Sequence, residues 1–272
     1  MDVTNIVSGA TNYSYSFVTN VTFYDYREAK TVKAVQLNVG NLNTWLTTSV
    51  SGQTYNSRNN SGLTSKGHNI NGVYVYNSAP SSGGSQLPAI RVVNGKQLPS
   101  AGLTVATPFP IYVMGDYNIT TNNGATTSTT LGDTVNTRPA ALMGDAVTVL
   151  SSSWQDTYAA GLAKTGRIPV STTINAATME GIVPSNGSYY SGGLENFLRL
   201  LENWDSSTML TYNGSIVVLF QSQYATGYWA NTDYYGVPTR RWGFDLKFNQ
   251  NSGLPPMTPQ VRATIRESWA AW

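Results

Sequence analysis

Apolar and polar residues alternate along YSYSFVTNVTFYDYRE (residues 13–28) as they do in a strand with one buried face. In the following stretch, EAKTVKAVQLNVGNLNTWL, Val32, Val35, Leu37 and Val39 continue the apolar pattern. Leu42, Trp45 and Leu46 then recur at near-helical spacing, which predicts a strand and a short connector or helix ending near Trp45. Residues 51–71, dominated by Ser, Asn and Gly, read as loop, GVYVYN as a strand, and APSSGGSQLP as a second loop.

From Ala89 the pattern becomes a series of short apolar runs broken by Gly, Asn, Asp and Pro. They are AIRVVNG, GLTVATPFPIYVMGDYN, AALMGDAVTVLS, STTINAATMEGIV and TYNGSIVVLF. Pro108 and Pro110 cannot donate to a sheet ladder, so TPFP predicts a corner or an edge. Ile216, Val218 and Phe220 face one way and Val217 and Leu219 the other, which predicts a strand covered on both faces. Met-Gly-Asp ends an apolar run twice, at residues 114–116 and 143–145, and reads as one corner used twice. Asn94-Gly95 and Asn213-Gly214 offer the same corner chemistry. The fold class expected is mainly β, an irregular parallel β-solenoid whose rungs turn at these corners, with an antiparallel β-sandwich as the alternative.

GGLENFLRLLENWDSS places Leu194, Phe197, Leu198 and Leu201 on one helical stripe, with Glu195, Arg199 and Glu202 opposite. This predicts an amphipathic helix over 193–205 in which Arg199 pairs with Glu195 or Glu202. WGFDLKF alternates as a strand, and GLPPMTP reads as an extended linker. The last segment, with Val261, Ile265, Trp269 and Trp272, is expected either to dock on the body or to offer its tryptophans to a partner. Residues 1–88 form an N-terminal strand and loop region, and 89–272 the core with its closing segment, together one structural unit.

Composition sharpens the surface more than the fold. Of the 272 residues only 11% are charged and the net charge is +2, without basic or acidic blocks, which excludes a nucleic-acid footprint or a polybasic membrane patch. There is no cysteine, so disulfides, thiol catalysis and Cys-ligated metals are excluded. The single histidine, His68, lies in a polar stretch and reads as a solvated loop residue, without the elbow motif a serine triad would need. No apolar window spans a bilayer, and the first residues lack the basic and apolar regions of a signal peptide. Low charge with much Asn, Ser, Thr and Tyr nonetheless has the texture of an exported, extracellular surface. Six N-x-[ST] sequons begin at Asn12, Asn20, Asn59, Asn118, Asn186 and Asn213, a number that this composition produces by chance.

The doubled Met-Gly-Asp raises a catalytic question. Asp116 and Asp145 would serve glycoside hydrolysis if they stood roughly 5–9.5 Å apart across a cleft. Tyr112, Tyr117 and Trp154 would then be platforms for sugar rings or a partner. Against this, each Asp follows a Gly at the end of an apolar run, where a corner-capping Asp is expected, and residues 106–133 contain no Lys or Arg, Arg138 being the nearest basic side chain in sequence. Corner capping is the preferred reading, with Asp116 and Asp145 the acids to test if the chain is an enzyme. No phosphate or dinucleotide motif and no cofactor signature occurs. Calcium is the more plausible metal, because Asp, Asn and carbonyl oxygens suit it, without an EF-hand loop to hold it.

Several phrases resemble a known group. VVNGKQLPSAGLTVATPFPIYVMGDYN, AALMGDAVTVLSSSW, TTINAATMEGIVPSNGSYYSGGLENFLRLLENW and YNGSIVVLFQSQYATGYW are similar to bacterial envelope proteins related to the PilX-type, prepilin-like group, of verrucomicrobial or planctomycete type. The likeness runs from about Phe23 to the C-terminus and carries no catalytic residues. It implies an exported, largely β-solenoid ectodomain following a hydrophobic prepilin helix, which this sequence lacks. The expected function is a non-enzymatic envelope protein at the cell surface, pilus-associated or serving adhesion and assembly. Its expected partners are other envelope or pilus proteins, surface glycans, or copies of itself. A polysaccharide-active or polysaccharide-binding solenoid and a self-assembling filament or shell subunit are the alternatives.

Overall fold

The computed structural model describes residues 7–8, 11–12, 17–47, 70–78, 84–120, 132–205, 207–229 and 234–259. Its strands in chain order are β1 (Val7–Ser8), β2 (Thr11–Asn12), β3 (Val18–Asp25), β4 (Lys30–Asn38), β5 (Gly72–Tyr74), β6 (Gln86–Val93) and β7 (Leu103–Ala106). They continue with β8 (Ile111–Met114), β9 (Ala140–Met143), β10 (Val147–Leu150), β11 (Thr172–Ile182), β12 (Arg199–Leu200), β13 (Met209–Gln221) and β14 (Thr239–Phe244). A helix, α1 (Val39–Thr47), follows β4, as the near-helical spacing before Trp45 predicts.

Two six-stranded sheets carry the molecule. The first has the order β12-β10-β8-β6-β4-β3 and the second β14-β13-β11-β9-β7-β5. From β4 to β13 the chain therefore alternates between sheets, one strand in each. Parallel neighbours need a crossover connection, and here each crossover is itself a strand of the opposite sheet. Apart from the hairpins β1–β2 and β3–β4, the paired strands are parallel. The antiparallel sandwich does not describe this topology. Pro108 and Pro110 fall in the corner between β7 and β8, where no ladder donor is needed.

The period-two pattern dictates which side chains meet. Ile90, Val92, Ile111, Val113, Val147 and Val149 of the first sheet face Leu103, Val105, Leu142, Ile174 and Leu210 of the second in one buried core, which also takes in Phe17, Leu42 and Trp45. Each such aliphatic contributes about 1.5–3 kcal/mol by leaving water. A second cluster on the other face of the first sheet joins Phe23, Val32, Leu87, Tyr112, Leu150, Trp154 and Leu201. The N-terminal strands β3 and β4 thus share one sheet and one core with the strands after Ala89.

Several expectations are corrected. The helix over 193–205 is absent: a 3₁₀ turn occupies Gly193–Asn196 and β12 follows. Leu194, meant for its apolar stripe, is 66% exposed, while Arg199 and Glu202 are buried. Leu198 and Leu200 enter the core between the sheets and Leu201 the outer cluster, so the run is read with a period of two. Arg199 pairs with Glu28 instead of Glu195 or Glu202. Asn213-Gly214 is no corner but lies within β13, where Gly214 is needed because a Cβ would sit 2.0 Å from the Ala176 carbonyl oxygen. Val218, Leu219 and Phe220 are exposed, so the far half of β13 is not covered on both faces. Strand β14 stops at Phe244, two residues before a 3₁₀ turn over Leu246–Asn249.

Candidate functional site

The two Met-Gly-Asp copies make different corners. The first follows β8 of the first sheet, and Gly115 has φ +77°, the left-handed region that Gly tolerates. The second follows β9 of the second sheet, and Gly144 has ordinary φ. There a Cβ would meet Ile111 Cγ1 and the Phe109 carbonyl oxygen at 2.8 Å. Asp145 N–H donates to Phe109 O, just before β8, whereas Asp116 lies just beyond the end of that strand. Four strand residues at ~3.3 Å each separate the two corners by about 13 Å, beyond the reach of a two-carboxylate hydrolysis. Asp116 accepts from Thr173 N–H at 2.9 Å and sits 3.5 Å from Lys96 Nζ, a basic partner that sequence distance concealed.

Asp145 is buried, and its carboxylate accepts from the backbone N–H groups of Gln223, Tyr224 at 3.0 Å and Ala225 at 2.7 Å. It therefore fastens the segment that follows β13. Further buried charges hold the same segment. Arg199 donates to Glu28 at 3.0 Å and to Ala225 O at 2.9 Å. Glu28 accepts from Gly227 N–H at 2.7 Å, and Arg27 donates twice to Gly227 O at 3.0 and 2.9 Å. Asp25 turns the chain by accepting from the N–H groups of Arg27 and Glu28, and its second oxygen accepts from Tyr112 OH at 2.5 Å. Arg27 also reaches Asn196, which ties in the loop leading to β12. Gly227 must be glycine, since a Cβ would stand 2.7 Å from Arg27 O and 2.8 Å from Glu28 Oε1.

Burial sets the electrostatics of this lattice. It raises the Glu28 carboxyl, with Asp25 adding to the rise and Arg199 opposing it. Burial and then the like charge of Arg199 pull the Arg27 guanidinium down to about 9. Burial, followed by Asp25, pushes the Tyr112 hydroxyl well above its usual range. Two acids and two arginines alternate in the cluster Asp25, Arg27, Glu28 and Arg199, so it holds the loops without a net charge.

What the lattice holds up is aromatic. Strands β11 and β13 are parallel neighbours, so the loops leaving their C-terminal ends lie side by side. Tyr189, from the loop after β11, stacks on Tyr228, from the loop after β13, at 3.9 Å and 7°. Tyr190 meets Trp229 edge to face at 5.8 Å. Gly192, at φ +82°, lies against the Trp229 indole, where a Cβ would come within 2.5 Å of Cγ. The first loop is tied by its own polar groups: Asn186 Oδ1 accepts from Ser188 and Tyr189 N–H, and Ser185 Oγ from Ser191 N–H. Tyr189, Tyr190 and Tyr228 are 49%, 62% and 38% exposed.

The aromatics singled out in the sequence lie elsewhere. Tyr112 and Trp154 are buried in the outer cluster, and Tyr117 is buried between the sheets against Gly95, where a Cβ would meet its ring at 2.3 Å. None of the three is open to a sugar or a partner. Trp269, Trp272 and His68 lie outside the described residues. The missed signal was adjacency: Tyr189-Tyr190 and Tyr228-Trp229 break the alternation of a strand and sit among Ser, Asn, Gly and Thr. Two sequon asparagines, Asn118 and Asn213, are buried in a ladder with Asn175, whose side chain donates to Asn118 O and accepts from Asn213 Nδ2. Asn20 and Asn186 are exposed.

An apolar groove of about 240 Å³ lies on the outer face of the second sheet, walled by Met143, Met179, Val217, Phe244 and Pro255–Pro259. Among the described residues no three His, Asp or Glu side chains gather as a metal site, and no helix is long and apolar enough to cross a membrane. Comparison with protein-family models, curated proteins and solved structures finds no match to this chain.

Proposed function

We propose that this chain is a non-enzymatic, exported module of a bacterial cell envelope, serving surface adhesion or pilus-associated assembly. Its alternating sheets are best understood as the rungs of an irregular parallel β-solenoid, a rigid body that presents loops from successive corners. The observation carrying this reading is the use made of the buried acids. Asp145, Glu28, Asp25 and Glu202 are each engaged with backbone N–H groups, hydroxyls or arginines of the scaffold. Two of them, Asp145 and Glu28, brace the loop after β13, which carries Tyr228 of the exposed aromatic pair. Rigid presentation of aromatic side chains is what a recognition surface requires, since ordering them on binding costs about 0.5–1.5 kcal/mol each.

The reading is tested by labelling intact, unpermeabilised source cells with an antibody to the chain and by incubating the purified protein with neutral and acidic polysaccharides. Surface labelling without release of reducing ends is expected. Turnover that disappears in Asp145→Asn would overturn the reading in favour of a polysaccharide-active enzyme.

Self-assembly has its own supporting observation, the exposed apolar end of β13 at Leu219 and Phe220. Edge and apolar contacts of this kind join subunits. Sedimentation and electron microscopy of the chain at high concentration decide it, and a persistent monomer removes it.

A further inference from the structure

From the paired loops we infer that Tyr189, Tyr190, Tyr228 and Trp229 form a binding site for a neutral glycan chain, an inference that rests on the adhesion reading above. Ring size, charge and rigidity favour this ligand in turn.

The open ring surface is limited. Tyr189, Tyr190 and Tyr228 are 49%, 62% and 38% exposed. At roughly 200 Å² for a whole aromatic side chain, about 300 Å² is left for contact. A stable protein interface needs about 800 Å² from each partner. Two or three sugar rings need less, and their flat C–H faces lie on aromatic rings. Because Tyr189 and Tyr228 stack at 7°, each covers one face of the other, and together they act as a single rigid wall. Tyr190 stands beside it, fixed edge to face on Trp229.

Among the described residues these loops offer no cation to an anion, and the nearest charge in sequence is the exposed carboxylate of Glu195. Residues 184–194 and 222–229, PSNGSYYSGGL and SQYATGYW, contain no Lys, Arg, Asp or Glu. Beneath lie the acids Asp25, Glu28 and Asp145 and the arginines Arg27 and Arg199, which are engaged with those acids or with backbone carbonyls and leave no free cation. Phosphorylated, sulfated or uronate chains therefore find no cation here, and nucleic acid finds none for its phosphates. What the rim does present is neutral hydrogen-bonding chemistry. The hydroxyls of Tyr189, Tyr190 and Tyr228 have no protein partner among the described residues. They and Ser188 match the hydroxyls of a sugar.

The loops are also fixed before any ligand arrives. Asp145, Glu28, Arg27 and Arg199 hold 223–227 by backbone contacts, and Asn186 and Ser185 hold 185–191. Small ligands bind such a surface without meeting the entropy cost of ordering it.

The test is isothermal titration of the full chain with linear hexasaccharides of β-1,4-glucan, α-1,4-glucan, β-1,4-mannan and β-1,4-xylan, and with oligogalacturonate as the charged comparator. At least one neutral oligosaccharide should bind, with an affinity unchanged between 50 and 300 mM salt and no gain for the uronate. Tyr189→Ala and Tyr228→Ala should each weaken it about tenfold, while Tyr74→Ser, an exposed tyrosine outside these loops, leaves it intact. Tyr189→Phe and Tyr228→Phe keep the stacked wall and should retain binding within about threefold. Thermal melts of each variant separate loss of fold from loss of contact, and the Phe pair with Tyr190→Ala carries the test if an Ala variant unfolds.

Failure of every neutral glycan to bind, undiminished binding in the Tyr189→Ala, Tyr228→Ala double variant, or a salt-sensitive preference for the uronate overturns the inference. Recruitment of a second copy or another protein through these tyrosines, without sugar binding, overturns it too. Reducing ends released from a bound sugar would instead sink the non-enzymatic reading and leave the glycan site standing. Surface display without any glycan binding would sink the site alone.

Discussion

Glu180 supplies the sharpest test of how this fold handles buried charge. It is fully buried on β11, where the register with β13 shifts, and one carboxylate oxygen accepts from Val147 N–H at 3.0 Å across the core. The other oxygen makes no hydrogen bond of good geometry, its neighbour being the Thr178 hydroxyl. Burial pushes the carboxyl from 4.5 up to about 7, against the Val147 N–H, the positive charge of Arg199, the Thr178 hydroxyl and the charge of Arg27. An acid raised in the folded state holds its proton more tightly folded than unfolded. Its contribution is complete below pH 4.5 and is lost as pH rises through about 7. At ~1.36 kcal/mol for each pH unit, the interval from 4.5 to about 7 amounts to about 3 kcal/mol, most of which falls between pH 5 and 8.

Glu180→Gln removes this titration while keeping an acceptor for Val147. Urea unfolding of both chains at pH 5, 6, 7 and 8 measures the difference. Glu28 and Glu202, also raised by burial, tilt both curves the same way and cancel in the comparison. The wild-type chain should lose about 2–3 kcal/mol more than the variant over this range, whatever constant offset the amide introduces. Parallel curves, within about 0.5 kcal/mol, would refute the reasoning, because the ionised carboxylate would then be no less stable folded than unfolded.

Other expectations follow from the same contacts. Asp145→Ala strands the N–H groups of Gln223, Tyr224 and Ala225 and should cost about 3 kcal/mol, with faster amide exchange confined first to 222–229. Retained protection there would contradict the bracing assigned to Asp145. Arg199→Met alone should cost about 3–5 kcal/mol because it leaves Glu28 buried and unpaired. The double variant with Glu28→Gln should recover part of that loss, and strictly additive losses would deny the coupling. The two Met-Gly-Asp corners should separate cleanly in melts. Gly115→Asn stays near wild type because Asn accepts positive φ, and Gly144→Asn loses at least about 2 kcal/mol from collision with Ile111 and Phe109. Equal losses would mean that one corner was used twice after all.

Much of the strand content was legible in the sequence. Alternation in 18–25 and 30–38 and the short apolar runs after Ala89 mark β3, β4 and β6–β11 because a strand with one buried face writes its burial directly into residue order. Asn94-Gly95 marks a turn for a similarly local reason, with Asn94 at φ +54°. The stretch 193–205 misleads because six apolar residues at mixed spacing satisfy a helical stripe and a strand alternation alike. What separates the two is the burial of Arg199 and Glu202, and their partners Glu28 and Ser151 lie 171 and 51 residues away.

The candidate site shows the same division more sharply. By itself, the sequence determined that the chain is built of short strands, that its surface is weakly charged, and that thiol or multi-histidine chemistry is excluded. All of these depend on residue identity and local period. The tertiary structure alone decided that Asp116 and Asp145 stand at opposite ends of a strand, and that Tyr112, Tyr117 and Trp154 are interior. It also decided that Tyr189 meets Tyr228 over a buried lattice of charged side chains. Each of these is set by sheet register, which brings residues tens or hundreds of positions apart into contact, and no local pattern encodes a register between strands.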